Sequence, residues 1–282
     1  MKKIKLLLCL FMLTTLCGCS NSNKNESSKT LNAAMFWIST SLDPTNNYDG
    51  WVLSRIGVGE TLLKLNEKYE VEPCLAKSYE QIDDTTWKLT LKDSITFSNG
   101  KKVTGENVKA CLERAFEKNT RAIDYFDLNH VEAKGQDIYL YLNKSSGAIL
   151  NNLCEPLFTI YDASQSEEDI ANHPLCTGPF VVDDFVSEKT IDTSKNKKYY
   201  DGKAKLDHVH FSQVADSDAR VLALQSGEVD LANTIDYSSL KLFRNNKDYQ
   251  VLEVLGPRTN VIYMNNETTF LSDLTIRKAL SY

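Results

Sequence analysis

The chain has 282 residues, 42% hydrophobic and 25% charged, the balance of an ordinary globular protein with room for one large or two medium domains. Its net charge of −6 weighs against nucleic acid as a partner, because a polyanion is met by a basic face. Its seven cysteines lack the paired C-x-x-C spacing that structural zinc sites use.

Met1-Lys2-Lys3-Ile4-Lys5 is a basic head, and Leu6 to Leu16 an apolar run too short to stay in a bilayer as a spanning helix. Charge, apolar stretch and small residue follow one another as in a secretory signal. Leu16-Cys17-Gly18-Cys19 resembles a bacterial lipobox, which implies a signal peptide over 1–18 and a lipid-modified Cys19 as first mature residue. An ordinary signal peptide with a chance cysteine is the alternative. Ser20 to Thr30 holds no apolar residue, so 19–30 reads as a lipidated cysteine on a solvated tether. Acyl chains on one cysteine would hold the folded part outside the cytoplasm, either in a periplasm or on the outer face of the cytoplasmic membrane. Cys74, Cys111, Cys154 and Cys176 remain. An oxidising compartment permits disulfides among them, and their spacing leaves the pairing open.

Leu31 to Ile38 (LNAAMFWI) reads as a buried strand. Ser39 to Gly50 is a loop, rich in Ser, Asp, Pro and Asn. Trp51 to Leu65 has helical patterning interrupted by Gly57 and Gly59. Thr85 to Leu91 alternates, with Trp87, Leu89 and Leu91 on one face of a half-buried strand. Ser98-Asn99-Gly100 is a turn between Ile95–Phe97 and Val103. Thr104 caps a helix running to Lys118, with Glu106 in its first turn. Cys111 shares that helix's apolar side with Val108, Ala115 and Phe116 and reads as a core residue. Asp137 to Leu142 is a strand, and Gly147 to Leu153 a short helix. Phe180 to Val182 opens a strand, and Lys205 to Phe211 is another. Asp216 to Ser226 is a helix closed by Gly227. Val229 to Leu231 begins a strand or turn. Val251 to Leu255 and Asn260 to Met264 read as strands, and Thr275 to Tyr282 opens a helix without a C-cap. That last feature sets the expectation of a chain shortened from a longer one. The irregular alternation of strand and helix points to a mixed α/β fold with antiparallel sheet.

Several stretches occur in a particular order: Gly57-Val58-Gly59-Glu60-Thr61-Leu62, Pro73 to Tyr79, Thr86 to Leu91, Ile95 to Gly100, Val103 to Val108, Cys176-Thr177-Gly178-Pro179-Phe180, Ala219-Arg220 through Asp230, and Arg258 to Asn265. Together they resemble the peptide/nickel/opine family (family 5) of bacterial ABC-transporter solute-binding lipoproteins. The resemblance covers Leu31 to Tyr282. It implies a periplasmic-binding-protein-like architecture, type II-like, with two lobes that close on a ligand. It places 31–65 with 172–255 in the main subdomain of the first lobe and 66–171 in an inserted subdomain. It makes 256–282 the hinge strand and start of the second lobe, most of which would be missing. Members run to about twice this length and deliver solute to ABC permease and ATPase subunits in the membrane.

Tyr48-Asp49-Gly50-Trp51, the 57–62 stretch and Asn119-Thr120-Arg121-Ala122 resemble the branch that handles nickel and metal chelates. Arg121 aligns with an arginine that there faces a chelator carboxylate, a group a guanidinium grips in bidentate fashion; otherwise it is a solvated helix-end residue. Tyr48 and Trp51 either wall the ligand cleft or simply pack. Arg258 and Asn260 either bind a ligand carboxylate or hold the hinge. The ligand is then a metal chelate, most naturally of nickel, or a short peptide, with no resident cofactor. No direct metal site is expected from His130, His173, His208 and His210, although His208 and His210 share one strand face. No catalytic residue is expected: the chain has no G-x-S-x-G, H-E-x-x-H or P-loop, and Asp83-Asp84 and Asp183-Asp184 read as solvated turns. A peptide receptor without a metal role is the alternative, and an exported hydrolase or structural surface lipoprotein the remote ones.

Overall fold

The computed structural model describes residues 28–254, 256 and 261–281. The leader, Cys19, Arg258 and Asn260 lie outside the described residues. The chain divides into two compact units after Asp236.

The first unit carries β1 (Thr30–Met35), α1 (Gly50–Arg55), β2 (Leu63–Leu65), β3 (Val71–Pro73), β4 (Ala76–Gln81) and β5 (Thr86–Leu91). Then follow α2 (Gly105–Lys118), α3 (Ala122–Tyr125), β6 (Leu128–Lys134), β7 (Asp137–Leu142), α4 (Ile149–Asn152), a 3-10 turn (Pro156–Phe158) and α5 (Glu167–Asn172). It ends with β8 (Phe180–Val186), β9 (Thr190–Lys195), β10 (His208–Gln213), α6 (Ser217–Ser226) and β11 (Leu231–Ala232).

One sheet has the order β11-β1-β10-β9-β8. β1 runs parallel to β10 and β11, and β8, β9 and β10 pair antiparallel. The mixed sheet explains the unalternating apolar run at its middle. Ala33 and Met35 face the main core, while Ala34 packs with Ala223 and Val229 beside α6, so both faces of β1 are covered. A second sheet has the order β4-β5-β7-β6 and is wholly antiparallel. Leu89, Leu91, Val131, Ile138 and Leu140 form its buried face, with Val108, Cys111, Leu112 and Ala115 of α2 in the same core. α2 starts as its sequence dictates: the Asn107 backbone N–H donates to Thr104 Oγ1, and the Thr104 N–H to Asn107 Oδ1.

Glu60 ties distant segments together. Its carboxylate accepts hydrogen bonds from Thr177 Oγ1 at 2.7 Å, Tyr199 Oη at 3.1 Å and Tyr200 Oη at 3.2 Å. This puts the motif around residues 57–62 beside the one around residues 176–180. Burial first of all pushes both phenols upward, so they stay protonated and donate. Cys74, Cys111, Cys154 and Cys176 are free thiols. Burial pushes Cys74 and Cys154 up to about 11 and Cys111 to about 12, far from the nucleophilic range.

Some expectations are corrected. The helix expected over Trp51–Leu65 stops at Arg55, because Gly57 turns the chain at φ +71° and the chain re-extends into β2. Val251–Val254 and Val261–Met264 pair with no strand among the described residues; Leu252, Val254, Ile262 and Tyr263 stand exposed, so no sheet face draws them into a ladder. Asp183 and Asp184 lie within β8 at an irregularity of register rather than in a turn. The second unit holds a 3-10 turn (Leu240–Leu242) and α7 (Leu274–Leu280), which Asp273 caps by accepting from the Thr275 N–H at 2.7 Å.

Candidate functional site

Three residues singled out from sequence meet in the first unit. Tyr48 closes the loop before α1, and Trp51 lies on that helix's first turn. Arg121 directly precedes α3. The Arg121 guanidinium stacks on the Tyr48 ring, its central carbon 3.7 Å from the ring centroid. Such a cation–π contact contributes about 0.5–2 kcal/mol and fixes the plane of the fork. Arg121 Nη1 donates to the Asn47 carbonyl at 3.0 Å, and Nη2 to Tyr125 Oη at 2.7 Å. Trp51 Nε1 donates to Glu155 Oε1 at 2.9 Å. Burial first, then the Glu155 carboxylate beside it, pushes the Tyr125 hydroxyl up to about 12. Tyr125 is therefore neutral, and it accepts from Arg121. The result is two hydrogen-bonded pairs side by side, guanidinium to phenol and indole to carboxylate.

The backbone that carries these side chains is tied down at several points. Asn119, at the end of α2, donates its Nδ2 to the carbonyls of Thr45 and Asn47, tying the loop to the helix. Arg114 makes a bidentate pair with Asp43, at 2.8 and 2.6 Å, and donates to Tyr161 Oη at 2.8 Å. Burial works to raise the Asp43 carboxyl, but hydrogen bonds from Arg114 and Thr45 outweigh it and hold it below its ordinary value. Asn152 Nδ2 donates to the Tyr125 carbonyl. Phe158 packs against Tyr125 and Phe126, with ring centroids 5.7 and 5.1 Å away. Gly50 lets α1 close onto the 3-10 turn; a Cβ there would stand 2.3 Å from the Pro156 carbonyl oxygen.

Tyr48 remains 54% exposed and Trp51 38%, although each ring already has a guanidinium over one face, Arg121 on Tyr48 and Arg55 at 5.6 Å on Trp51. The sequence reading missed Tyr125 and Glu155. Tyr125 lies one helical turn beyond Arg121, a spacing that puts the two side chains together. Glu155 carried no signal, since it reaches Trp51 from 104 positions away. The structure does not gather the histidines here. His210 Nδ1 sits 2.7 Å from Asp192 Oδ1, and His130 stacks on Tyr141. Among the described residues, no three His, Cys, Asp or Glu side chains are grouped to hold a metal ion. Guanidinium, phenol, indole N–H and a single carboxylate suit the outside of a small polar solute better than a bare cation.

A family model described as bacterial extracellular solute-binding proteins, family 5, matches residues 70–282. The chain is 32% identical over 267 residues to the nickel-binding protein NikA of Staphylococcus aureus, covering 95% of this chain and 53% of that protein. It is 27% identical over 231 residues to the glutathione-binding protein GsiB of Escherichia coli, covering 78% and 45% respectively. The crystal structure of Staphylococcus aureus NikA in complex with Ni(L-His)2 superposes with a TM-score of 0.73 at 32% identity, over 78% of this chain and 46% of that one. A nickel ABC transporter structure from Bacillus halodurans gives 0.74 at 28% identity, over 90% and 53%. The chain thus spans about half the length of the curated relatives it matches.

Proposed function

Because the chain belongs to family 5 of the bacterial extracellular solute-binding proteins, we propose that it captures a small solute outside the cytoplasm and hands it to an ABC permease. The solute in this reading is a nickel chelate. The observation that carries it is the cluster of Tyr48, Trp51 and Arg121, with a guanidinium held flat between an aromatic ring and a tyrosine hydroxyl. A carboxylate-bearing chelator meets such a fork with paired, charge-assisted hydrogen bonds, and the aromatic faces take its rings. The similarity to Staphylococcus aureus NikA supports nickel as the cargo. The similarity to GsiB favours a second reading, a short-peptide receptor, which uses the same arginine for a peptide carboxylate.

In this proposal 1–18 is a signal peptide and Cys19 carries the lipid that anchors the protein at the membrane. Residues 31–65 and 172–255 make the main subdomain of the first lobe, 66–171 the inserted one, and 256–282 the beginning of the second. The two sheets support that division: one draws on residues 30–35 and 180–232, the other on 76–142. Arg258 and Asn260 join the ligand site or the hinge.

Titration calorimetry on the chain and on Arg121→Met tests the reading. Nickel with L-histidine is expected to bind the unsubstituted chain, and Arg121→Met to weaken binding by roughly tenfold or more, the worth of a charge-assisted hydrogen bond. Equal affinity in both proteins contradicts the assignment of this site.

A further inference from the structure

We infer that the loop between β9 and β10 is a basic docking face that lays the first unit against an anionic lipid surface, beside the point where the chain arrives from Cys19. The part that concerns the anchor rests on the function proposed above; the face itself stands on described residues. The loop is a closed excursion, because the Lys195 N–H donates to the Asp207 carbonyl at 2.9 Å and brings its two ends together. At its base Asn196 donates its backbone N–H to the Pro179 carbonyl and its Nδ2 to the Gly178 carbonyl, both at 2.8 Å. Lys197, Lys198, Lys203 and Lys205 lie on it, all exposed. Lysines elsewhere in the first unit find partners: Lys77, Lys88, Lys101, Lys118, Lys134 and Lys144 each pair with a carboxylate. Among the described residues the four loop lysines form no such pair; Lys198 Nζ instead donates to the Asn99 carbonyl at 2.6 Å.

The carboxylates around the loop are engaged. Asp207 pairs with Lys195 and accepts the Lys29 N–H. Asp183 accepts from Ser194 Oγ at 2.7 Å, and Asp230 from the Asn32 N–H at 2.8 Å. Glu60 is turned onto the hydroxyls of Tyr199 and Tyr200. Asp201 is exposed within the loop and offsets one lysine, while Lys92, 5.2 Å from the Tyr200 ring centroid, adds a cation at its base. A positive loop on a chain of net charge −6 orients the molecule at an anionic surface, since the loop is attracted and the acidic remainder repelled. Its place in the fold favours lipid as that surface. β1 and β10 run parallel, with Thr30 opposite His208, so the chain enters the sheet beside this loop. Lys29 is fixed there: its carbonyl accepts from the Asp207 N–H at 2.8 Å, and its N–H donates to the Asp207 carboxylate at 2.9 Å. Between Cys19 and Lys29 the chain spans at most about 35 Å even fully extended. An acyl group on Cys19 would therefore keep the loop within reach of lipid headgroups, where each lysine inside a Debye length adds to binding.

The test is a lysine footprint on the full chain. An amine-acylating reagent that does not cross bilayers labels the protein alone, with phosphatidylcholine vesicles, and with vesicles of phosphatidylcholine and phosphatidylglycerol; mass spectrometry reads each lysine. Lys197, Lys198, Lys203 and Lys205 are expected to label about threefold or more slowly on the mixed vesicles only, with Lys134 and Lys144 unchanged. That protection is expected to fade in about 0.5 M salt. Replacing all four together, Lys197→Gln, Lys198→Gln, Lys203→Gln and Lys205→Gln, is expected to weaken co-sedimentation with the mixed vesicles by roughly tenfold or more, and its unfolding midpoint shows that the substituted chain is folded. Loop lysines that stay unprotected, protection spread equally over every lysine, or unchanged sedimentation of the substituted chain overturns the inference. Equal protection by soluble poly(glycerol phosphate) overturns it too and assigns a dissolved polyanion instead. The anchor is read separately, from the mass of the protein recovered from cell membranes. A Cys19 without acyl chains refutes the anchor alone, and the footprint decides the docking face in either case.

Discussion

Asp49 shows how the site's loop is held at the residue scale. It is 3% exposed and accepts from Asn46 Nδ2 at 2.6 Å. Burial raises its carboxyl to about 6; Asn46 works against the rise and the nearby Asp43 charge adds to it. A carboxyl raised in the fold costs stability wherever it is ionised, so the penalty is full above about pH 6 and fades as pH falls towards its ordinary value of 3.8. Asp49→Asn should therefore raise the unfolding midpoint at about pH 7.5, and the gain should shrink by about pH 4.5. A gain that grows on acidification would contradict this assignment. Asp43 has the opposite sign. Its carboxyl is depressed, so its contribution is present above the ordinary carboxylate range and is lost as pH falls below about 4. Arg114→Met strands that carboxylate, both partners being largely covered, and should lower stability by about 3 kcal/mol in denaturant unfolding.

At the scale of elements, Gly50 decides whether α1 reaches the 3-10 turn at Pro156. Gly50→Ala has no room against the Pro156 carbonyl and must push the helix away. That displacement separates Trp51 from Glu155. The substitution should lower the unfolding midpoint and weaken ligand binding together, whereas an unchanged midpoint would mean the packing there is loose. The elements that were legible from sequence carry their own local instructions. α2 has Thr104 and Asn107 at its start, α6 has Asp216 before it and Gly227 at φ +75° after it, and the 98–100 turn has Gly100 at φ +92°. β9 was not legible. Thr190–Lys195 (TIDTSK) carried no strand assignment because its side chains are mostly polar, and it becomes a strand because β8 and β10 flank it and bury Ile191 and Thr193. β4 and β6 were missed for a related reason: they are the outer strands of their sheet, with mostly polar side chains on the open face. The site divides the same way. Tyr48, Trp51 and Arg121 were singled out from their types and the motifs around them, and the structure places them as neighbours, while the Glu155 contact depends on tertiary packing that no local pattern encodes.

On the scale of the whole molecule, the mixed α/β architecture follows from one central apolar strand and a set of alternating ones, and it agrees with the periplasmic-binding-protein fold of the nickel-binding relatives. The first unit buries the principal core and holds the entire cluster from Tyr48 to Glu155. Direct capture of a solute by that cluster is the central claim, and thermal unfolding with added ligand tests it. A ligand that binds only the folded state stabilises it by an amount set by its concentration relative to Kd, about 2.7 kcal/mol at a hundredfold excess, and so raises the midpoint. The chain should be melted with nickel alone, L-histidine alone, both together, and di- to pentapeptides. A shift with nickel and histidine together that exceeds those with either alone, and that Arg121→Met removes, is the predicted result. A midpoint unmoved by every addition, or a shift that Arg121→Met leaves intact, would contradict it.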